Sequence, residues 1–194
     1  LVYDLPDEQI ISPVDLMGRA QARIIGVDWG FVNPAAVSVW YVHDNCWYKV
    51  DEWKRAGQTT EEIRQVIKNK LAEHRATKVY PDPAEPDRIE ECRRDNIPVM
   101  DVNKDIKGGV SYIQQLIREK RYFVYNTCVE SLDEISMYHY PEEDEAKESK
   151  DLPEKFNDHL MDADRYAIYS FKPIKLAQHV ATEGIKPYYP EIGA

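Results

Sequence analysis

Five residues have the chemical types and the placement to act together: Asp28, Asp82, Asp158, His159 and Asp162. Asp28 closes the run "RIIGVDWG", residues 23 to 30, where an otherwise apolar strand ends on a charge. Asp82 closes a second short apolar run in "VYPDP", and "NDHLMD" opens a helix with the remaining three. Carboxylates brought to one place repel one another unless a cation lies between them. Hard divalent ions such as Mg²⁺ and Mn²⁺ take oxygen ligands of this kind. Two such ions about 3.5–4 Å apart can hold both the attacking and the leaving oxygen of a phosphodiester. That chemistry needs neither cysteine nor a covalent nucleophile. Each residue alone has a plainer account. Asp28 could end a strand before a turn, and Asp82 could belong to an Asp-Pro turn. Asp158 could be a helix cap, and His159 a surface histidine. Asp162 and Asp164 both stand in a helix, which aspartate does not favour. Asp164 falls off the stripe shared by His159 and Asp162 and reads as solvated. The combination carries the signal.

The elements that must position these residues are legible in part. Residues 23–29, 35–43 and 46–54 read as three strands with short connections, an antiparallel meander. Residues 59–76 form an amphipathic helix that Thr59 or Thr60 can cap, with Ile63, Val66, Ile67 and Leu71 as its apolar stripe. A short strand over 77–82 and a helix over 83–96 with early prolines follow. After them come a strand over 97–102, a helix over 105–120, an extended piece over 121–126 and a helix over 128–138. A last helix spans 157–171, with Asn157 or Asp158 as its cap. Antiparallel strands followed by β–α units predict an α/β fold, a mixed sheet with helices on its faces. Parallel neighbours would bring Asp28 and Asp82 to one sheet edge, where ligands bind in open α/β sheets. Residues 1–22 read as a lead-in or interdomain linker, 23–172 as the domain, and 173–194 as a tail.

Composition narrows the function. The chain of 194 residues is 43% hydrophobic and 11% aromatic, which suits a globular domain with a real core. No apolar run is long enough to span a membrane, and "LVYDLPDEQI" lacks the features of a signal peptide. Without an initiator methionine, the chain reads as processed or as part of something longer. Cys46, Cys92 and Cys128 are too few and too widely spaced for a disulfide framework or zinc site, and suit buried thiols in a reducing cytoplasm. The net charge of −10 is uneven: residues 133–164 hold twelve acids against three lysines. Lys104, Lys107, Arg118, Lys120 and Arg121, against Asp105 and Glu119, make residues 103–121 basic. These five are candidate DNA-phosphate contacts, or simply solvated helix charges. The acidic loop over 141–155 could limit access to DNA, or be only an exposed charged loop.

"IIGVDWGFVNPAAVSVWY", "VYPDPAEPDRIEECRR" and "NDHLMDADRYAIY" together resemble the nuclease domain of the large terminase subunit of tailed bacteriophages. The order and spacing of the three blocks agree over roughly residues 23 to 171, and the last block is the most specific. The opening "LVYDLP" is similar to the segment that joins this family's ATPase and nuclease domains. The resemblance implies an RNase H-like fold and a metal-dependent endonuclease, with Mg²⁺ or Mn²⁺, that cuts concatemeric viral DNA during packaging in the host cell cytoplasm. It implies Asp28, Asp82 and Asp162 as metal ligands, His159 as a supporting neighbour and Asp158 as a further acid or only the cap. Double-stranded DNA, an ATPase domain, the small terminase subunit and the portal are its implied partners. The chain has no GxxxxGK[ST] loop, so these residues are not the ATPase. A junction resolvase or transposase-type nuclease would share the acids and metals. An actin-like nucleotide-binding domain would need a second glycine-rich phosphate loop, and the chain offers only "KGG" at 107–109. A non-catalytic docking module would have no use for all three acids.

Overall fold

A computed structural model describes residues 1–141 and 152–171. Most of the acidic loop and the tail at 172–194 lie outside the described residues. Among the described residues, six strands form one mixed sheet: β1 (Ile10–Ile11), β2 (Ala22–Asp28), β3 (Ala35–His43), β4 (Cys46–Arg55), β5 (Lys78–Pro81) and β6 (Tyr122–Tyr125). Their spatial order is β1-β6-β4-β3-β2-β5. The β2-β3-β4 meander is antiparallel, and β5 joins β2, β6 joins β4 and β1 joins β6 in parallel. The described residues form five α-helices: α1 (Thr60–His74), α2 (Pro86–Arg94), α3 (Ile106–Arg118), α4 (Val129–Met137) and α5 (His159–Ser170), of which α1, α3, α4 and α5 pack against the strands.

Side-chain alternation sorts the helices between faces. On β3, the Trp40 indole donates to Asp164 of α5 at 2.8 Å, while the next residue, Tyr41, meets His74 of α1. Strand pairing carries this alternation across the sheet. Asp28, Ala36 and Lys54 form one row on the α5 face, Gly26, Ser38 and Glu52 the next, and Ile24, Trp40 and Lys49 a third. Ile25, Val27, Val37 and Val39 point to the α1 face. Both faces are covered, so β2 is apolar from Ile24 to Val27, and its one buried charge comes at its last residue. Thr59 caps α1 in a capping box with Glu62, as the sequence suggests. Cys46, Cys92 and Cys128 are buried and unpaired.

Two expectations need correction, the strand over 97–102 and the solvated Asp164. Residues 97–102 do not form a strand. They make one parallel bridge, Val79 to Val99, and Pro98 has no N–H to extend the ladder. The extended piece at 121–126 is extended as expected and pairs as β6, which widens the sheet on the side away from β5. Asp164 is not solvated. It is fully buried against Lys49, whose ammonium reaches both carboxylate oxygens at 2.8 Å. The lead-in also packs onto the domain: Val2, Tyr3, Ile11 and Leu16 are buried, and β1 lies within it.

The helix α5 lies unusually close to β2. A Cβ built on Gly26 would stand 2.0 Å from the carbonyl oxygen of Ala163 and 3.1 Å from the Ala167 methyl. Gly26→Ala therefore has to push α5 off the sheet. It should cost about 3 kcal/mol or more in urea unfolding. Gly18, with nothing within 4 Å of a built Cβ, is the comparison. Gly18→Ala should stay within about 0.5 kcal/mol of the parent, and equal losses at both positions would contradict the packing described.

Candidate metal-binding active site

Asp28 ends β2, and Asp82 follows β5 immediately on the parallel neighbouring strand. The Asp82 N–H donates to Val27 O at 2.8 Å, so the backbone ties the two acids to one sheet edge. The Trp29 indole donates to Asp82 O at 3.1 Å, and Asp82 Oδ1 accepts from Ala84 N at 2.9 Å, which closes the turn. Over this edge lies the first turn of α5. His159 Nδ1 donates to Asp28 Oδ2 at 2.9 Å. Asp162 is paired with Arg165 one turn on, at 2.6 Å. Asp158 occupies the N-cap position without a side-chain capping bond, which leaves its carboxylate for the cleft.

These residues line one cleft of ≈ 550 Å³: Asp28, Asp82, Asp158, His159 and Asp162, with Asn33, Lys155, Phe156 and Tyr166 around them. All five chemistry-bearing residues of the sequence reading thus meet. None of the five basic candidates lines the cleft. Lys104 and Lys107 stand at the start of α3, and the Lys104 carbonyl accepts from Arg165 at 3.4 Å. Arg118, Lys120 and Arg121 lie at the other end of α3, where β6 begins. Arg121 is bound there to Asn45 in the β3–β4 turn and to Glu119, and Lys120 to Glu8. β6 runs in the same direction as β2, so its start marks the edge opposite Asp28. Lys155 is a cation in the cleft lining. Its only signal in the sequence is its place three residues before Asp158.

The cleft concentrates negative charge. Burial pushes the Asp28 carboxyl up to about 6, and the charges of Asp162 and Asp82 add to this, against the hydrogen bond from His159. Asp158 is raised by burial and by Asp162. His159 is raised as well, chiefly by its bond to Asp28, so the Asp28–His159 pair holds a proton readily. A buried group of oxygen donors with one imidazole beside them fits a hard divalent cation better than a soft one. The oxygens do not form a tight cage. Among the described residues, ligand atoms from three side chains lie within 4.8 Å of one another at Asp51, Glu73 and His74, on the α1 face. There Lys70 already pairs with Asp51, and His74 is engaged by both Tyr41 and Asp51. A resident ammonium satisfies that cluster, whereas no lysine is paired to the cleft acids among the described residues.

A meander extended by a parallel strand, with acids at the ends of two neighbouring strands and on a crossing helix, defines an RNase H-like domain. The chain belongs to the Terminase RNaseH-like domain family, whose model matches residues 25–171. It is 26% identical over 157 residues to the large terminase subunit of Escherichia phage T5, covering 78% of this chain and 36% of that protein. A large terminase from a thermophilic bacteriophage superposes with a TM-score of 0.74 at 26% identity, over 85% of this chain and 43% of that one. The nuclease domain of the large terminase of bacteriophage SPP1, solved with bound Mn, shares the fold with a TM-score of 0.68 at 18% identity, over 85% and 98% of the two chains. The chain therefore spans less than half the length of the first two relatives.

The raised Asp28 has a stability consequence. Its carboxyl holds a proton in the folded chain up to about pH 6, whereas its ordinary value is 3.8. The stability this contributes is fully present below the lower value and is lost as pH rises through the upper one. Asp28→Asn does not undergo that loss. In EDTA, the Tm of Asp28→Asn minus that of the parent should grow by several degrees between pH 4 and pH 7. This follows from about 1.4 kcal/mol per pKa unit and roughly 2–4 °C per kcal/mol at this chain length. A difference that stays flat or shrinks would contradict the burial assigned to Asp28.

Proposed function

We propose that the cleft is the active site of a metal-dependent endodeoxyribonuclease that cuts concatemeric double-stranded viral DNA during genome packaging. The observation that carries the reading is the convergence of Asp28, Asp82 and Asp162 on one cleft, from two parallel strand ends and a crossing helix. Membership of the terminase family and the Mn-bound SPP1 relative support it. In this reading Asp28, Asp82 and Asp162 hold Mg²⁺ or Mn²⁺, with Asp158 as a further acid. Two such ions, when bound, supply Lewis acidity toward the attacking and leaving oxygens of a phosphodiester.

The chain's own residues do the rest. His159 fixes the rotamer of the Asp28 carboxylate and keeps a proton beside it, so one oxygen of Asp28 is left to face the cleft. Arg165 does the same for Asp162, holding one of its oxygens. Lys155 lines the cleft and offers a charge to a DNA phosphate as the strand enters. Lys104 and Lys107 extend the contact toward α3, while Arg118, Lys120 and Arg121 would serve DNA only along a path that rounds the far edge. The ATPase domain, the small terminase subunit and the portal are proposed partners of the longer protein, acting in the host cytoplasm.

Incubation with supercoiled plasmid in Mn²⁺ or Mg²⁺ should give nicked and linear products, and EDTA should abolish them. Asp28→Asn and Asp162→Asn should each lower the rate by about 100-fold or more, the scale of losing a group that acts in the transition state. Equal cleavage by parent and variants would refute the site. The net charge of −10 also predicts that this chain alone binds duplex DNA weakly and with steep salt dependence. Nanomolar binding at physiological salt would count against that.

A further inference from the structure

The first N–H groups of a helix have no partner within it. At α5 they are buried, since Leu160 and Met161 open the helix inside the core, and the N-cap side chain of Asp158 does not reach them. A residue from another helix does. Glu134 of α4 accepts from Leu160 N at 2.8 Å and from Met161 N at 3.1 Å through the same oxygen, Oε2. Glu134 is itself 0% exposed, and its other oxygen meets Lys54 Nζ at 2.8 Å. The same ammonium donates to Asn157 Oδ1 at 2.7 Å, and Asn157 turns the chain into α5 with a left-handed φ of 48°.

Lys54 is placed by the sheet. It stands in the row Asp28–Ala36–Lys54, on the α5 face and two strands from Asp28, a separation of roughly 10 Å. The first turn of α5 is therefore strung between two fixed points. His159 ties it to Asp28 on β2, and Glu134 with Asn157 ties it to Lys54 on β4. We propose that Glu134 and Lys54 are positioning residues for the metal-binding cleft: their buried ion pair sets the height and rotation of the turn that carries His159 and Asp162. Neither residue lines the cleft, so they act through α5 and through Asn157, which leads into it. The proposal rests on reading that cleft as the cation site of the nuclease.

The test compares Glu134→Gln and Lys54→Met with Glu52→Gln. Glu52 caps α4 by the same device, accepting from Glu130 N at 2.8 Å and Ser131 N at 3.1 Å, but it stands one row further from the cleft. Circular dichroism establishes folding. Mn²⁺ affinity is read by calorimetry, and the Mn²⁺ concentration for half-maximal plasmid nicking by gel. Folded Glu134→Gln and Lys54→Met should each need about 10-fold more Mn²⁺, the lower end of what losing a support behind a metal ligand costs. Glu52→Gln should lose stability with its Mn²⁺ requirement unchanged. Mn²⁺ affinities within twofold of the parent in folded Glu134→Gln or Lys54→Met would overturn the proposal, and so would an equal shift in Glu52→Gln. Should Glu134→Gln not fold, Lys54→Met decides alone. Should the parent bind Mn²⁺ but cleave no plasmid, the nuclease reading fails, and the calorimetry still decides the positioning.

Discussion

The cleft depends on how closely α5 can lie on β2. Gly26 is where the two backbones meet, with a built Cβ only 2.0 Å from the Ala163 carbonyl. Any side chain there would lift the helix, and with it His159 and Asp162, away from Asp28 and Asp82. One row away, Lys49 and Asp164 pair with neither side chain exposed to solvent, and the Trp40 indole completes the carboxylate's partners. Such a pair adds little net stability, because both charges leave water, but removing one partner strands the other and is strongly destabilising. Its effect is orientation. Two residues along a helix turn by roughly 200°, so Asp164 held against the sheet turns Asp162 the other way, to the cleft and to Arg165.

The same helix thus carries acids with opposite fates. Asp164 has a fixed cation beneath it and is structural. Asp28, Asp158 and Asp162 share a cleft in which burial, and then the charge of Asp162, raises the carboxyls of Asp28 and Asp158. Proteins seldom keep such groups together unless a ligand uses them. The buried Asp28 costs the folded chain stability at neutral pH, a common feature of active sites. The Asp51, Glu73 and His74 group shows the contrast, since Lys70 and Tyr41 already satisfy it.

Much of this was legible in the sequence because it is local. Strand alternation gives the meander, and capping chemistry gives α1. The positions of Asp28 and Asp82 at the ends of apolar runs follow from residue order alone. What was hidden depends on distant partners. Asp164 looked solvated because Lys49 is 115 residues away. Glu134 looked like any acid on a helix, although it serves the N-terminus of a different one. Two-residue β1 is too short to show a period, and Pro98 reduces an apolar run to a single bridge. The basic residues of α3 cluster in sequence, but a helix spans the sheet, so one cluster reaches two opposite edges.

A crystal of the chain grown with Mn²⁺ and measured at the manganese edge locates the cation itself. Anomalous density is expected between the carboxylates of Asp28, Asp82 and Asp162, with His159 still bonded to Asp28. Density at Asp51, Glu73 and His74 instead, with none in the cleft at saturating Mn²⁺, would contradict that placement.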